Sequence, residues 1–549
     1  MKITVGDYLL KRLKEVGVDH IFGVPGDYNL GFLDQIVNYK DLKWIGNCNE
    51  LNGAYAADGY ARVKGVSAMV TTFGVGELSA INGIAGAYAE QVPLIKIVGM
   101  PSTSVQNNKS IVHHTLGNSD FTVFSDMYSH LTVAQTIINP FNASREIDRL
   151  ITCCLTQKRP VYIGLPTDIS YQEIEDNTET LNFERTPSNP DAIQEATSRV
   201  SRMIQKSTKP IILADIGALR HPEMRKTLIN LSNRTGIPTA SLPMGKGVID
   251  ESSSLFLGIY NGELSDKYVQ ERVESSDLVI SFGTVLSDFN TGGFSSQINV
   301  DSTIDIQYEH VKIKHSLYTE VHFEDFIPAL TESLDGYQHQ ENIQNKSLTE
   351  NSVTDSPLTQ EALWFRSQFF FKENSNIIAD IGTSSFGLIN QRIPNNTNFV
   401  HQSLWGSIGF SVGALLGTCL ADKTKENICF VGDGSFQLTA QEISTMVRHK
   451  LTPIIFLVNN QGYTVERAIH GANMEYNDIQ PWDYKELPKI FGDHVWSTKV
   501  CTLRDLETAL SECDTNKDKL RFIELTLDKD DVPSVLKDIA CKAASLNKY

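Results

Sequence analysis

The stretch ICFVGDGSFQLTAQEISTMVRHKLTPIIFLVNNQGYTV, Ile428 to Val465, decides how the rest of the chain is read. An apolar run, Ile428–Val431, leads into Gly432-Asp433-Gly434-Ser435. A helical segment follows, with Thr439 and Glu442 spaced as a capping box. A second apolar run, Ile454–Val458, ends at Asn459-Asn460. This is a βαβ unit, so its strands are expected to be parallel and adjacent. Both polar motifs then lie at carboxyl ends of strands, where open α/β sheets bind ligands. Asp433 and Asn460 are far apart in sequence but can face one crevice. Gly-Asp-Gly alone is an ordinary turn. In this setting it suits a hard cation with a diphosphate: Asp433 brings the charge, Asn460 a side-chain oxygen and Gly462 a backbone carbonyl, and positions remain for phosphate oxygens. Gly432 and Gly434 let the diphosphate approach the backbone.

Outward from this segment, the 549 residues exceed what one core can organise. Two polar stretches, 173–190 and 335–358, read as linkers. They leave blocks at 1–172, 191–334 and 359–549. Each block alternates short apolar strands with helices: Ala68–Thr72 and Leu94–Gly99 in the first, Pro210–Ala214 and Leu278–Phe282 in the second. The fold class expected is α/β, with three doubly wound parallel-sheet domains. The formal charge of −18 disfavours nucleic acid and anionic membrane surfaces as partners. No run approaches the length of a membrane span. The opening segment places Val5, Tyr8, Leu9, Leu13 and Val16 on one helical face and reads as the start of a domain. Eight cysteines without a Cys-x-x-Cys pair read as reduced thiols of a cytoplasmic protein.

The Gly432–Asn460 segment resembles the diphosphate- and metal-binding signature of thiamine-diphosphate enzymes. Four more motifs resemble the pyruvate, indolepyruvate, phenylpyruvate and branched-chain 2-oxo-acid decarboxylase group, over essentially the whole chain. They are Asn49-Glu50 opening a small-residue helix to Arg62, Val24-Pro25-Gly26-Asp27-Tyr28-Asn29, His113-His114, and Gly462-Tyr463-Thr464-Val465-Glu466. The resemblance implies thiamine diphosphate and Mg²⁺ as cofactors, with Asp433, Asn460 and the Gly462 carbonyl as metal ligands. It implies that Glu50 shares a proton with the aminopyrimidine, although Glu50 would equally serve as a helix N-terminal acid. Asp27, His113, His114 and Glu466 would handle protons as CO₂ leaves and the enamine becomes an aldehyde. Further cofactor contacts implied are Thr383 in Gly382-Thr383-Ser384, Gly406, Ser407 and Ile408 in Trp405–Gly409, and Gly434, Ser435, Tyr463 and Val465. Ile408 would hold the cofactor bent.

By the same resemblance Phe289, Ile381, Ser385, Val465, Ile539 and Ala543 would line the substrate pocket, although core packing explains each equally well. Ser385 and Ala543 are small, which favours a bulky aromatic or branched 2-oxo acid such as indolepyruvate or phenylpyruvate; Phe289 works against the largest. A pyruvate-preferring decarboxylase and an acetohydroxyacid-synthase-like carboligase are the alternatives. A silent cofactor-binding subunit would predict loss of Glu50 or the metal ligands. Gly74-Val-Gly76 lacks the third glycine of a dinucleotide fingerprint, and the central block carries none, so no flavin or nicotinamide is expected. In this family the site forms between two chains, which implies a dimer at minimum and commonly a homotetramer.

Overall fold

The computed structural model describes residues 2–183, 185–343 and 353–547. Residues 344–352 of the second expected linker lie outside them. Three large sheets organise the chain. The first runs, edge to edge, Lys43–Gly46, His20–Gly23, Ser67–Thr72, Leu94–Met100, Val161–Pro166 and Ala134–Ile137, all parallel. The third runs Asn398–Val400, Ser375–Ala379, Glu426–Gly432, Ile454–Asn459, Leu520–Thr526 and Val495–Val500, again all parallel. Numbered within its own sheet, each has the strand order 2-1-3-4-6-5. The first and third blocks are therefore the same α/β module, a relation their sequences did not reveal.

The central sheet starts as a doubly wound unit around Pro210–Ala214 and Leu278–Phe282. It then departs from the all-parallel expectation. Val311–Ile313 and Ser316–Tyr318 add to it antiparallel, as a hairpin with Lys314 at φ 54° in its turn. The first expected linker also contributes structure: Glu173–Glu175 pairs antiparallel with Lys2–Thr4 at the head of the chain. Val5–Glu15 is a helix capped by Thr4 Oγ1, and it buries Val5, Tyr8, Leu9 and Leu13.

The first and third modules share one core. Helix Glu50–Lys64 lies against helix Phe410–Ala421, both rich in Gly and Ala. A Cβ on Gly417 would sit 1.9 Å from the Ala56 carbonyl oxygen, so only glycine permits this approach. The expected capping box at Thr439 and Glu442 does not form. The helix after the glycine motif starts at Asp433 itself and ends at Thr439. Thr439 Oγ1 donates to the Gly409 carbonyl, 2.8 Å away. Glu442, fully buried, accepts instead from Asn47 Nδ2 and Asn52 Nδ2, both at 2.9 Å, and from the Cys48 N–H at 3.2 Å. Tertiary donors outcompeted the local cap because a buried carboxylate gains more from three donors than from one.

Glu442→Ala would leave those three donors unpaired, each costing about 1–3 kcal/mol. A fall in Tm of about 5–10 °C is expected by calorimetry, with Glu442→Gln milder. An unchanged Tm would show that the contact does not join the modules.

Candidate active site

The site residues collect at the carboxyl edges of the first and third sheets. In the third sheet the order reverses between Ser375–Ala379 and Glu426–Gly432, and the loops that leave these strands bound a crevice. The resulting cleft, of about 340 Å³, is lined by Ile381, Thr383, Gly406, Ile408, Asp433, Gly434, Ser435, Asn460, Gly462, Tyr463, Val465 and Glu466. These residues were expected from sequence; Phe386, Ser403, Leu404 and Ile469, which were not, line it as well. Phe289, from the central module, completes the wall.

Asp433 is 1% exposed. Its Oδ1 accepts from the Gly434 N–H at 2.8 Å and its Oδ2 from the Gly462 N–H at 3.1 Å. Burial pushes its carboxyl up to about 6. The Asn460 side-chain oxygen faces Asp433 Oδ1 at 3.2 Å and the Gly462 carbonyl at 3.1 Å. Carboxylate, amide and backbone carbonyl thus converge at one point. Protein hydrogen bonding alone favours the opposite amide orientation, in which nitrogen faces both oxygens and Thr464 Oγ1 donates at 3.0 Å. In either orientation a carboxylate, an amide and a backbone carbonyl gather at one point, and carboxylate, amide oxygen and carbonyl are the donor set a hard divalent ion requires. Gly462 sits at φ 123°, which presents its backbone to Asp433. Gly434 is required by Tyr463, whose ring would lie 2.6 Å from a Cβ there. Across the crevice Ser384 Oγ is buried without a partner, beside Gly382 at φ 124°. These groups fit a metal-bound diphosphate.

The loop Trp405–Gly409 is held by residues that sequence reasoning missed. Ser407 Oγ and Tyr55 OH are 2.6 Å apart, and Asn82 Nδ2 donates to both at 3.1 Å. Trp405 Nε1 donates to Asn82 Oδ1 at 2.8 Å. Asp380, fully buried, accepts from the Gly409 and Ser411 N–H groups. Tyr55 falls inside the Asn49–Arg62 motif, whose polar members were a usable signal. Asn82 and Asp380 had none.

In the first module, Asp27, His113 and His114 form a second cluster, with one ligand atom from each within 4.8 Å of the others. His113 Nε2 meets Asp27 Oδ2 at 2.6 Å. The Tyr28 ring stacks on His113 with centroids 4.9 Å apart. His114, at φ 64°, keeps its Nδ1 buried and unpartnered. Asn29 fixes the preceding turn by accepting from the Gly26 N–H at 2.9 Å. Glu50 is the first residue of its helix, capped by Asn49. Its carboxylate rests against Gly76, where a Cβ would come within 3.2 Å of Oε1. None of Asp27, Glu50, His113 and His114 lines the cleft that holds Asp433.

Three expected pocket residues are not at the cleft either. Ser385 is buried with its Oγ directed at the Gly382 carbonyl, 3.3 Å away. The next residue, Phe386, lines the cleft instead, its ring 5.8 Å from that of Phe289. Ile539 and Ala543 lie on the C-terminal helix Ser534–Asn547, which packs against the short helices Thr383–Leu388 and Thr464–Ile469. Successive side chains of a helix point about 100° apart, which is why Phe386 and not Ser385 borders this cavity.

Comparison with known proteins bears on these observations. Residues 3–122, 197–331 and 380–525 match family models described as the N-terminal TPP binding domain, the central domain and the C-terminal TPP binding domain of thiamine pyrophosphate enzymes. The chain is 43% identical to a pyruvate decarboxylase of Aspergillus terreus, over 99% of this chain and 98% of that protein. It is 42% identical to pyruvate decarboxylase isozyme 2 of Saccharomyces cerevisiae, over 100% and 99%. It is also 42% identical to a pyruvate decarboxylase of Kluyveromyces lactis, over 100% and 99%. With an oxygen-lined cleft at the switch point of one module and a carboxylate–histidine cluster on its twin, the chain belongs to the thiamine-diphosphate-dependent 2-oxo-acid decarboxylases, which use that cofactor together with a divalent metal ion.

Proposed function

We propose that the chain decarboxylates pyruvate non-oxidatively to acetaldehyde and CO₂, with Mg²⁺ as the divalent ion. The observation that carries the substrate is the aromatic pair Phe289 and Phe386 at the cleft, which narrows it. The expectation of a bulky substrate rested on Ser385 and Ala543, and neither lines the cleft. The relatives named as pyruvate decarboxylases support the same reading.

When bound, thiamine diphosphate supplies the electron sink for the departing carboxylate. The chain's own groups do the rest. Asp433, Asn460 and the Gly462 carbonyl hold Mg²⁺, and Thr383, Gly434 and Ser435 border the diphosphate. Gly406, Ser407 and Ile408 orient the pyrimidine, with Tyr55 and Asn82 fixing Ser407. Glu50 holds the proton at the ring nitrogen. Asp27, His113, His114 and Glu466 exclude bulk water and carry protons to and from the substrate carbon and oxygen.

Because Glu50 and the histidines do not line the Asp433 cleft of their own chain, we place the complete site between two chains. A dimer is then the functional minimum, and two dimers form the tetramer expected from the family resemblance. Eight free thiols support a cytoplasmic setting. Among the described residues no helix is long and apolar enough to cross a membrane.

Shared sites predict complementation. Glu50→Gln and Asp433→Ala chains, each inactive alone, should recover about one quarter of wild-type activity when refolded as a mixture, since half the dimers are mixed and each regains one of two sites. No recovery would place both residues in one chain's site.

Cofactor retention should depend on pH through Asp433. Its carboxyl is raised to about 6, and only the ionised form binds the metal. As pH falls through 6 the proton displaces the ion, so Mg²⁺ affinity, measured by titration with fixed thiamine diphosphate, should weaken about tenfold per pH unit. A flat profile between pH 7 and 5 would exclude Asp433 as a ligand.

Phe386→Ala should widen the cleft and raise relative kcat/KM for phenylpyruvate over pyruvate by about tenfold or more. An unchanged ratio would remove the aromatic pair from substrate selection.

A further inference from the structure

The cofactor cleft occupies the carboxyl edge of the third sheet. At the opposite edge, where strands Glu426–Gly432, Ile454–Asn459 and Leu520–Thr526 begin, lies a separate cavity of about 400 Å³. Its wall carries Lys423, Lys425, Lys450, Lys517 and Arg521, together with His449, against one carboxylate, Glu426. Five fixed cations around one cavity stand out in a chain of formal charge −18.

Internal neutralisation accounts for only part of this charge: Asp422 attracts Lys425, whose ammonium burial holds below its usual range. Glu426 is taken by Arg521 Nη1 at 3.3 Å. Arg521 also donates to the carbonyls of Cys513 and Thr452, and at 3% exposure it leaves Nε unpartnered. Lys425 donates to the Asn396 carbonyl at 2.7 Å, and Lys517 pairs with Asp514 at 3.1 Å on the exposed side. The ammonium groups of Lys423 and Lys450 make neither an ion pair nor a hydrogen bond among the described residues. Helices Phe410–Ala421 and Ile443–Arg448 end here, and each C-terminus contributes roughly half a negative charge. That offsets about one of the lysines. The surplus is felt nearby: burial, then Arg448, Lys423 and Lys43, hold His449 below the usual histidine range. His20 is pushed down to about 4 by burial, with Lys423, Lys43 and His449 adding to the effect.

We propose that this cavity binds a small organic phosphate, at a site remote from the cofactor cleft. Its volume falls in the range of small-molecule sites and exceeds what a bare phosphate needs. Lysine ammonium groups recognise phosphate as point charges, and a dianion matches two unpartnered lysines better than a monocarboxylate does.

The test uses the holoenzyme, saturated with thiamine diphosphate and Mg²⁺ so that the diphosphate cleft is filled. Inorganic phosphate and glucose 6-phosphate are titrated by calorimetry at low ionic strength, while the His449 ring is followed by NMR. The expected result is saturable binding at one site per chain, tighter for the sugar phosphate, with the His449 pKa moving upward. The Lys423→Gln/Lys450→Gln double variant should bind at least about tenfold more weakly, the loss of one charge-assisted contact, with basal decarboxylation unchanged. Equal affinity in the double variant, or no saturable binding at millimolar ligand, overturns the proposal. Tighter binding of inorganic phosphate than of the sugar phosphate overturns the organic assignment.

Discussion

Helices Glu50–Lys64 and Phe410–Ala421 touch backbone to backbone, and the rest of the molecule is arranged around that contact. A Cβ on Gly59 would meet the Ala414 carbonyl oxygen at 2.3 Å, and one on Gly417 the Ala56 carbonyl oxygen at 1.9 Å. Small residues on both faces bring two otherwise independent sheets into one core. Close packing of this kind is rigid because no side chain is left to rearrange. Both helices also begin at functional positions. Glu50 opens one, and the Ile408-Gly409 turn opens the other. The interface that binds the modules together therefore sets the placement of the groups expected to hold the pyrimidine.

Buried carboxylates recur along the same seam, each with its own solution. Glu442 takes three donors from the first module. Asp380 takes two backbone N–H groups of the Gly409–Ser411 turn. Asp433 takes two backbone N–H groups and still lies 3.2 Å from the Asn460 amide, which in turn faces the Gly462 carbonyl. Only the third gathers an amide and a backbone carbonyl beside the carboxylate, the donor set of a hard cation. The opposite edge of the same sheet inverts the pattern, with cations opposed and only one carboxylate among them. A single parallel sheet thus presents a cation-seeking end and an anion-seeking end.

Much of the site was legible because its chemistry is local. Asp433, Asn460 and Gly462 follow two strands of one βαβ unit, and strand periodicity suffices to bring them together. Asn49 and Glu50 were readable as a cap and a first-turn acid. What misled was spacing that local rules explain too well. Thr439 and Glu442 have capping-box spacing, yet Thr439 bonds Gly409, 30 residues away, and Glu442 bonds Asn47, Cys48 and Asn52, at least 390 residues away. Ser385 is buried while Phe386 borders the cleft because the register of a short helix relative to a cleft is fixed by what packs behind it, here the C-terminal helix.

The sequence by itself determined the α/β class, the cofactor signature and the strand-end motifs that border the cleft, because a parallel strand ending in a polar loop has one place to put that loop. Tertiary structure alone decided that the first and third modules share a topology, that Tyr55 and Asn82 brace Ser407, that Phe386 rather than Ser385 faces the cleft, and that four lysines and an arginine gather at the far edge of the sheet. Those facts depend on which surfaces pack together, and pairwise packing between segments hundreds of residues apart leaves no period or motif in the chain that would announce it.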